Sequence, residues 1–460
     1  MVHLFEMLGS FFCLDVPSGS VITTDRLTYL LLMLRNGVPG ALGELSTFSG
    51  EERAEAEAEI DGLIAEGVIF SPEIPDSVRL ADGVVKAMCL NVTHDCNLRC
   101  KYCFADGGAY GGKRGSMSLD TAKAAIDMLL ASSGTRRNLE VDFFGGEPML
   151  NFETVKQTVA YARACEGAFG KRIRFTLTTN ATVMDEGSID FLNREMSNVV
   201  LSIDGRSEVH DSMRRFAGGR GSFARAKENA LKFRAARGDK DYYVRGTYTA
   251  ENLDFCSDVL FLNDCGFDKV SIEPAVLPAA SPYALGMSNV DKLKGEYLRL
   301  AEEYYKRRSA LGRDKFSFFH FMMDLSGGPC EKKRLLGCGA GAEYVAVSPD
   351  GGIFPCHQFI GRAEFGMGNV FDGLRPNGIP ERFSANTVSS KDGCKKCWAK
   401  YYCSGGCAAN AYNLNGRLDA PVDYLCELQK TRTECAIAVA ALEASDGFGT
   451  ADFGAAANKA

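Results

Sequence analysis

The chain has 460 residues, 46% of them hydrophobic, with 52 basic and 59 acidic side chains and a net charge of −7. That length allows large buried cores, and about two to four domains are expected. The acidic balance speaks against a general nucleic-acid binder, no run of about 18 apolar residues marks a membrane span, and the opening MVHLFEMLGS has no basic stretch ahead of an apolar one, so it is not a secretory signal. The expected compartment is the cytoplasm, where disulfides are rare. Yet the chain holds 17 cysteines. In a reducing compartment such a count points to metal or redox chemistry.

Residues 1–80 read as a separate unit. HLFEMLG, FFCLDV and SVITTD are short apolar or β-branched runs, with PSGS as a turn. DRLTYLLLMLRNG reads as a helix stopped by Gly37, and SGEERAEAEAEIDGLIAEGVIFSPE as a second helix with Ile60, Leu63 and Ile64 on its apolar face. GVIF is expected to return as a strand, which makes the unit winged-helix-like. Its charge argues against a DNA-binding role. Arg26, Arg35, Arg53 and Arg79 face thirteen acids, a net of −9, and that surface repels phosphates. SPEIPDSVRLADG reads as a linker.

From residue 84 to 275, strand-like runs alternate with helical ones. The strands are VVKAMCLNV, LEVDFFG, IRFTLTTN, NVVLSID, YYVRGTYT and KVSIEP. LDTAKAAIDMLLAS, FETVKQTVAYARACEG and FARAKENALKFRAARG are helices between them. Repetition of strand then helix predicts an α/β fold with a parallel sheet. Six units suit an open partial barrel, with chemistry at the carboxyl ends of its strands. There, after MCLNV, stands CNLRCKYCF, placing Cys96, Cys100 and Cys103 in the pattern C-x₃-C-x₂-C. Three thiolates are one short of a structural zinc site. A 4Fe–4S cluster needs one ligand per iron, so three leave one iron open.

This motif, with Tyr102 before its last cysteine, resembles the signature of the radical S-adenosylmethionine (SAM) enzymes. The resemblance implies that SAM chelates the open iron and is cleaved to a 5′-deoxyadenosyl radical. FFGGEP ends the second strand. Gly145 and Gly146 let backbone approach a ligand, and Glu147, as in the family's GGEP motif, is implied to hold the SAM amino group. Asn180 ends the third strand, and Ser202 and Asp204 the fourth. By resemblance Ser202 and a following arginine contact the ribose and carboxylate of SAM. Arg214 is favoured, with Arg215, Arg220 and Arg245 as competitors.

Residues 276–329 are a mixed, helical bridge, and 330–445 form a cysteine- and glycine-rich module closed by the helix LCELQKTRTECAIAVAALEAS. Its thiols are Cys330, Cys338, Cys356, Cys394, Cys397, Cys403, Cys407 and Cys426. From Cys338 on, their spacing resembles the SPASM domain of peptide-modifying radical SAM enzymes, which carries two auxiliary 4Fe–4S clusters. A zinc ribbon is the plainer alternative. By resemblance Cys338, Cys356 and Cys407 serve auxiliary cluster I, and Cys394, Cys397, Cys403 and Cys426 serve cluster II. Cys330 is a candidate fourth ligand of cluster I. Without it, an open iron could take a substrate thiolate. Cys13, Cys89, Cys165, Cys256, Cys265 and Cys435 are scattered and read as small buried apolar residues. The tail 446–460, DGFGTADFGAAANKA, reads as disordered.

Three modules in this order, with GCGAGAEYVAVSPDGGIFPCHQFIG and CWAKYYCSGGCAANAY, resemble the maturases of the six-cysteines-in-forty-five-residues (SCIFF) peptides over nearly the whole chain. The resemblance implies thioether crosslinks between Cys sulfur and an acceptor carbon, commonly of Thr, in a ribosomally made precursor. It implies three 4Fe–4S clusters, SAM and an external electron donor of flavodoxin or ferredoxin type. It also implies that the N-terminal unit binds a leader peptide as an added strand. No nucleic acid or membrane partner is expected. The alternatives are another radical peptide modification (carbon–carbon crosslinking, or oxidation of Ser or Cys) and a non-catalytic iron–sulfur redox protein.

Overall fold

The structure is a computed structural model and describes residues 1–73, 83–323, 325 and 331–446. Most of the expected linker, Cys330 and nearly all of the tail lie outside the described residues. Among the described residues no helix is long and apolar enough to cross a membrane.

At the N-terminus β1 (Val2–Met7), β2 (Ser10–Asp15) and β3 (Val21–Thr24) form an antiparallel sheet in that order. α1 (Arg26–Arg35), α2 (Leu42–Leu45) and α3 (Gly50–Ala65) follow. Asp25 caps α1 by accepting from the Thr28 N–H at 2.7 Å, and Ser49 starts α3 in a reciprocal capping box with Glu52. Such caps satisfy the otherwise unpaired first N–H groups and set where each helix begins. The unit has its own core of Leu27, Leu30, Leu31 and Ile60. Its other face, with Phe5, Phe12 and Leu14, joins the main core of the protein.

The expected strand GVIF is not one. Residues 67–70 form a turn, with Phe70 in the left-handed region at φ 54°. Ile69 is 1% exposed and plugs the helical core. A four-residue apolar run gives the same signal whether it pairs as a strand or serves as a plug.

The middle of the chain builds the barrel. Its elements are β4 (Ala87–Thr93), β5 (Leu98–Cys100), α4 (Leu119–Ser132), β6 (Asn138–Gly145), α5 (Phe152–Phe169), β7 (Arg172–Thr179), α6 (Glu186–Glu195), β8 (Asn198–Ser202), α7 (Ser207–Met213), β9 (Arg214–Phe216), α8 (Phe223–Arg237), β10 (Asp241–Tyr248), α9 (Phe255–Asp264) and β11 (Lys269–Pro274). β4, β6, β7, β8, β10 and β11 are neighbours in that order and all parallel. Side chains alternate across each strand. In β6, Leu139, Val141 and Phe143 are fully buried. Phe144, between them in phase, lines the barrel lumen with Thr178, Ser202, Arg245, Thr247 and Glu273 from the other strands.

The sheet continues past both ends of this set. After α10 (Val290–Leu311), β12 (Ser317–Phe318) adds parallel to β11. From the C-terminal module, β13 (Tyr344–Val347) adds parallel to β4, with Tyr344 opposite Ala87. β14 (Gly352–Phe354), β15 (Gly368–Asn369) and β16 (Gly373–Leu374) continue from it antiparallel. All eleven strands form one open mixed sheet. The C-terminal module is therefore stitched to the barrel by backbone pairing. Its last helix, Asp423–Ser445, lies against α10 and is fixed by a buried Arg308–Glu443 pair at 2.6 Å.

Candidate active site

The three-cysteine loop leaves the end of β4, and a small ribbon organises it. β5 pairs antiparallel with β9, which sets Cys100 directly opposite Arg214. All three thiols line a single cavity of about 660 Å³. The GGEP segment pins the loop. The Gly146 N–H donates to the Thr93 carbonyl and the Glu147 N–H to the Asp95 carbonyl, both at 2.9 Å. A Cβ on Gly146 would overlap the Asp95 carbonyl, and one on Gly145, at φ 132°, the Thr93 carbonyl. The sequence suggested that these glycines admit a ligand. They line the cavity, but the approach that demands glycine is to the cysteine loop itself. Gly146→Ala should therefore displace the loop and lower SAM cleavage about a hundredfold, since misplacement by about 1 Å has that cost. The check is a rate assay on protein whose circular dichroism is native, and wild-type turnover would contradict it.

The polar residues expected around the loop are brought together. Glu147 is 1% exposed and accepts from Thr179 Oγ1 at 2.7 Å, from the Asn180 backbone N–H at 2.7 Å and from the Met149 N–H at 3.1 Å. Burial raises its pKa, and those donors pull it back down. The Asn180 side chain donates to Asn97 Oδ1 at 2.9 Å and reaches Cys96 Sγ at 3.8 Å. Asp204 is fully buried. It accepts from Tyr102 OH at 2.8 and 2.6 Å and from the Thr247 N–H at 3.1 Å. Burial pushes its carboxyl up to about 6, opposed by Arg214 and Tyr102. Arg214 Nη1 donates to Tyr102 OH at 2.7 Å, while Arg214 Nε is buried with no hydrogen-bond partner among the described residues. Ser202 lines the cavity.

Of the rival arginines, Arg215 is exposed and donates to the Asp211 carbonyl, and Arg220 lies over the Phe216 ring. Arg245 lines the cavity 3.7 Å from Glu273. Arg214 alone among them sits opposite the triad in the ribbon. A chain of hydrogen bonds holds it there. His210 Nδ1 accepts from the Asp204 N–H at 3.3 Å, its Nε2 meets Ser222 Oγ at 2.9 Å, and Ser222 Oγ donates to the Arg214 carbonyl at 2.6 Å. Burial and then Arg214 push His210 down to about 2, so it stays neutral.

The C-terminal thiols fall into two sets. Cys338, Cys356 and Cys407 are electrostatic neighbours. Burial, reinforced by Cys407 and Cys338, pushes Cys356 up to about 12. Cys394, Cys397, Cys403 and Cys426 form the other set. Burial, with Cys403, Cys394 and Cys397 adding, pushes Cys426 up to about 12. Cys403, Cys407 and Cys426 line the same cavity as the Cys96 triad. Soft thiols that neighbour one another in threes and fours fit iron–sulfur clusters, which take one thiolate per iron. At the triad, the open cavity and the orphaned Arg214 Nε fit a polar ligand carrying an acceptor.

Other residues of the lumen were not foreseen. Glu273 ends β11 and is met by His320 at 3.1 Å, Arg432 at 3.3 Å and Arg245 at 3.7 Å. The expectation that chemistry gathers at strand ends named this strand without naming the acid. Arg432 comes from the C-terminal helix, and no local pattern places a helix residue at a barrel mouth. His357 follows Cys356 and packs on Phe104 and Phe144.

Residues 90–250 match the family model of the Radical SAM superfamily. The antilisterial bacteriocin subtilosin biosynthesis protein AlbA of Bacillus subtilis is 25% identical over 335 residues, covering 70% of this chain and 67% of that protein. Among solved structures, anSMEcpe with bound AdoMet and the Cp18Cys peptide superposes with a TM-score of 0.64 at 22% identity, over 77% of this chain and 97% of the other. Streptococcus suis SuiB bound to its precursor peptide SuiA gives 0.53 at 16% identity, over 92% of this chain and 98% of the other.

Proposed function

We propose that this radical SAM enzyme forms thioether crosslinks in a ribosomally made, cysteine-rich precursor peptide, as the SCIFF maturases do. The observation that carries the reading is the shared cavity, into which the Cys96 triad and thiols of both C-terminal sets open. Cys96, Cys100 and Cys103 would hold the SAM-binding 4Fe–4S cluster. Glu147, Asn180, Ser202, Asp204, Tyr102 and Arg214 would hold and orient SAM, with Gly145 and Gly146 shaping the floor. Bound there, the cluster and SAM would supply one-electron cleavage of a sulfonium and removal of a hydrogen atom from the peptide. The two C-terminal sets would hold auxiliary clusters that accept the second electron of each crosslink, and an external carrier of flavodoxin or ferredoxin type would deliver the first. The protein's own task is to place the acceptor carbon and the cysteine sulfur together and exclude water. Subtilosin biosynthesis by AlbA and the precursor peptide bound to SuiB support a peptide substrate.

The N-terminal unit is proposed to receive the leader. Among the described residues β1 and β3 each pair with β2 alone, so each offers an edge for strand addition. Its net charge of −9 over residues 1–80 suits a lysine-bearing leader. Leader affinity should then fall about tenfold between low salt and about 0.5 M salt, as exposed charges are screened. Fluorescence anisotropy with a labelled leader measures it, and salt-independent binding would contradict an acidic docking face.

A second reading, oxidation of a peptide Cys as in the sulfatase-maturating enzymes, is favoured by the better superposition of anSMEcpe. The broader coverage of SuiB, which includes the N-terminal region, weighs against it. Product chemistry decides between them. A thioether removes two hydrogens and one alkylatable thiol, a carbon–carbon bond removes the hydrogens and keeps the thiol, and oxidation yields an aldehyde. Mass spectrometry after thiol alkylation tests the proposal, and an aldehyde product would replace it with the second reading.

A further inference from the structure

Lys391 stands three residues before Cys394 and is only 2% exposed. Its ammonium donates to the Gly405 carbonyl at 2.7 Å. Gly405 has a φ of 79°, and a Cβ there would stand 2.8 Å from Lys391 Nζ, so the CSGGC turn makes room for the amine. Among the described residues no carboxylate forms an ion pair with it. Asp419 is taken by Arg417 at 2.9 and 3.0 Å, and Asp392 by Lys395 at 2.8 Å. Lysines are almost never buried unpaired, because an isolated buried ammonium costs several kcal/mol. The glycine whose carbonyl it holds lies between Cys403 of one set and Cys407 of the other, and burial lowers the Lys391 pKa while the thiols of Cys394, Cys403 and Cys407 oppose that shift.

We propose that Lys391 is a counter-ion shared by both auxiliary clusters and that its fixed charge raises the reduction potential of each. The proposal rests on the reading that two auxiliary 4Fe–4S clusters occupy these thiol sets. Reducing a cluster adds one negative charge to it. A cation held nearby in a low dielectric stabilises the reduced state more than the oxidised one. Because the same ammonium faces thiols of both sets, it acts on both potentials at once. Lys391 touches no reacting atom and is a tuning residue.

The test uses the full-length reconstituted protein as wild type, Lys391→Arg and Lys391→Gln. Iron is counted, and the auxiliary clusters are titrated electrochemically with electron paramagnetic resonance as the readout. Lys391→Gln keeps a donor for the Gly405 carbonyl but removes the charge. It should retain about eight auxiliary irons, four per cluster, and shift both auxiliary midpoints to more negative values. Lys391→Arg should shift them much less. Unchanged potentials in Lys391→Gln, or equal shifts in Gln and Arg variants, would overturn the proposal. If Lys391→Gln does not assemble clusters, Gly405→Ala carries the test, because it keeps the charge while crowding the ammonium off its seat. The same negative shift is expected there, and unchanged potentials overturn the proposal. A wild type holding only the triad's four irons would instead overturn the reading of two auxiliary clusters.

Discussion

Replacing Cys96, Cys100 and Cys103 together with Ala should abolish 5′-deoxyadenosine release and leave about eight of about twelve irons in the reconstituted protein, one four-iron cluster having been lost. The effect is expected to be total because the three thiols are the proposed ligands of the cleaving cluster. They sit on a loop held by Gly146 and Glu147, opposite Arg214 in the β5–β9 ribbon. The remaining irons should persist because the C-terminal thiols are anchored on separate segments between Cys338 and the C-terminal helix. The measurement pairs iron analysis with chromatography of the SAM cleavage products. Release of 5′-deoxyadenosine by the triple variant would show that the triad is not the cleavage site.

Cys356→Ala should have the next largest effect. It should abolish crosslinking while SAM cleavage stays measurable. Cys356 lies just beyond β14, 8% exposed, with Cys338 and Cys407 as its neighbours. Removing it leaves two thiols of that set among the described residues, too few to hold a cube that takes one ligand per iron. SAM cleavage should survive, since the triad lies on the barrel side of the cavity and shares no ligand with this set. Cys330→Ala serves as the comparison. If Cys330 is not a ligand, that variant keeps about twelve irons and some crosslinking. Loss of four irons would assign Cys330 as the fourth ligand of cluster I, and substrate sulfur could then bind only by displacing it.

Much of the barrel was legible because buried parallel strands read as apolar runs and their helices as periodic ones. The six expected strands coincide with β4, β6, β7, β8, β10 and β11 to within three residues at their ends. α6, α7 and α9 were not named as separate elements, since at seven to ten residues each offers only about two to three turns in which a periodic pattern can show. Pairing between distant segments was not legible at all. Nothing local in YVAV says that β13 adds to β4, yet that pairing merges barrel and C-terminal module into one sheet. The same holds for the site. Cysteine spacing exposed the thiols, and Arg214 was favoured over three competing arginines, but nothing local showed that the β5–β9 register sets it opposite Cys100. The N-terminal unit reads as separate in the sequence, and its packing is of two kinds. It has its own helical core, while Phe5, Phe12 and Leu14 belong to the main one. Truncating it would therefore also uncover core side chains.

The central claim is that hydrogen removal and sulfur attachment occur on one peptide in one cavity. The direct measurement is turnover of a precursor peptide deuterated at its acceptor residues, with SAM and reductant. Deuterium should enter 5′-deoxyadenosine in step with the loss of alkylatable thiol from the peptide. Deuterium transfer with every thiol still alkylatable, or thiol loss without deuterium in 5′-deoxyadenosine, would contradict it.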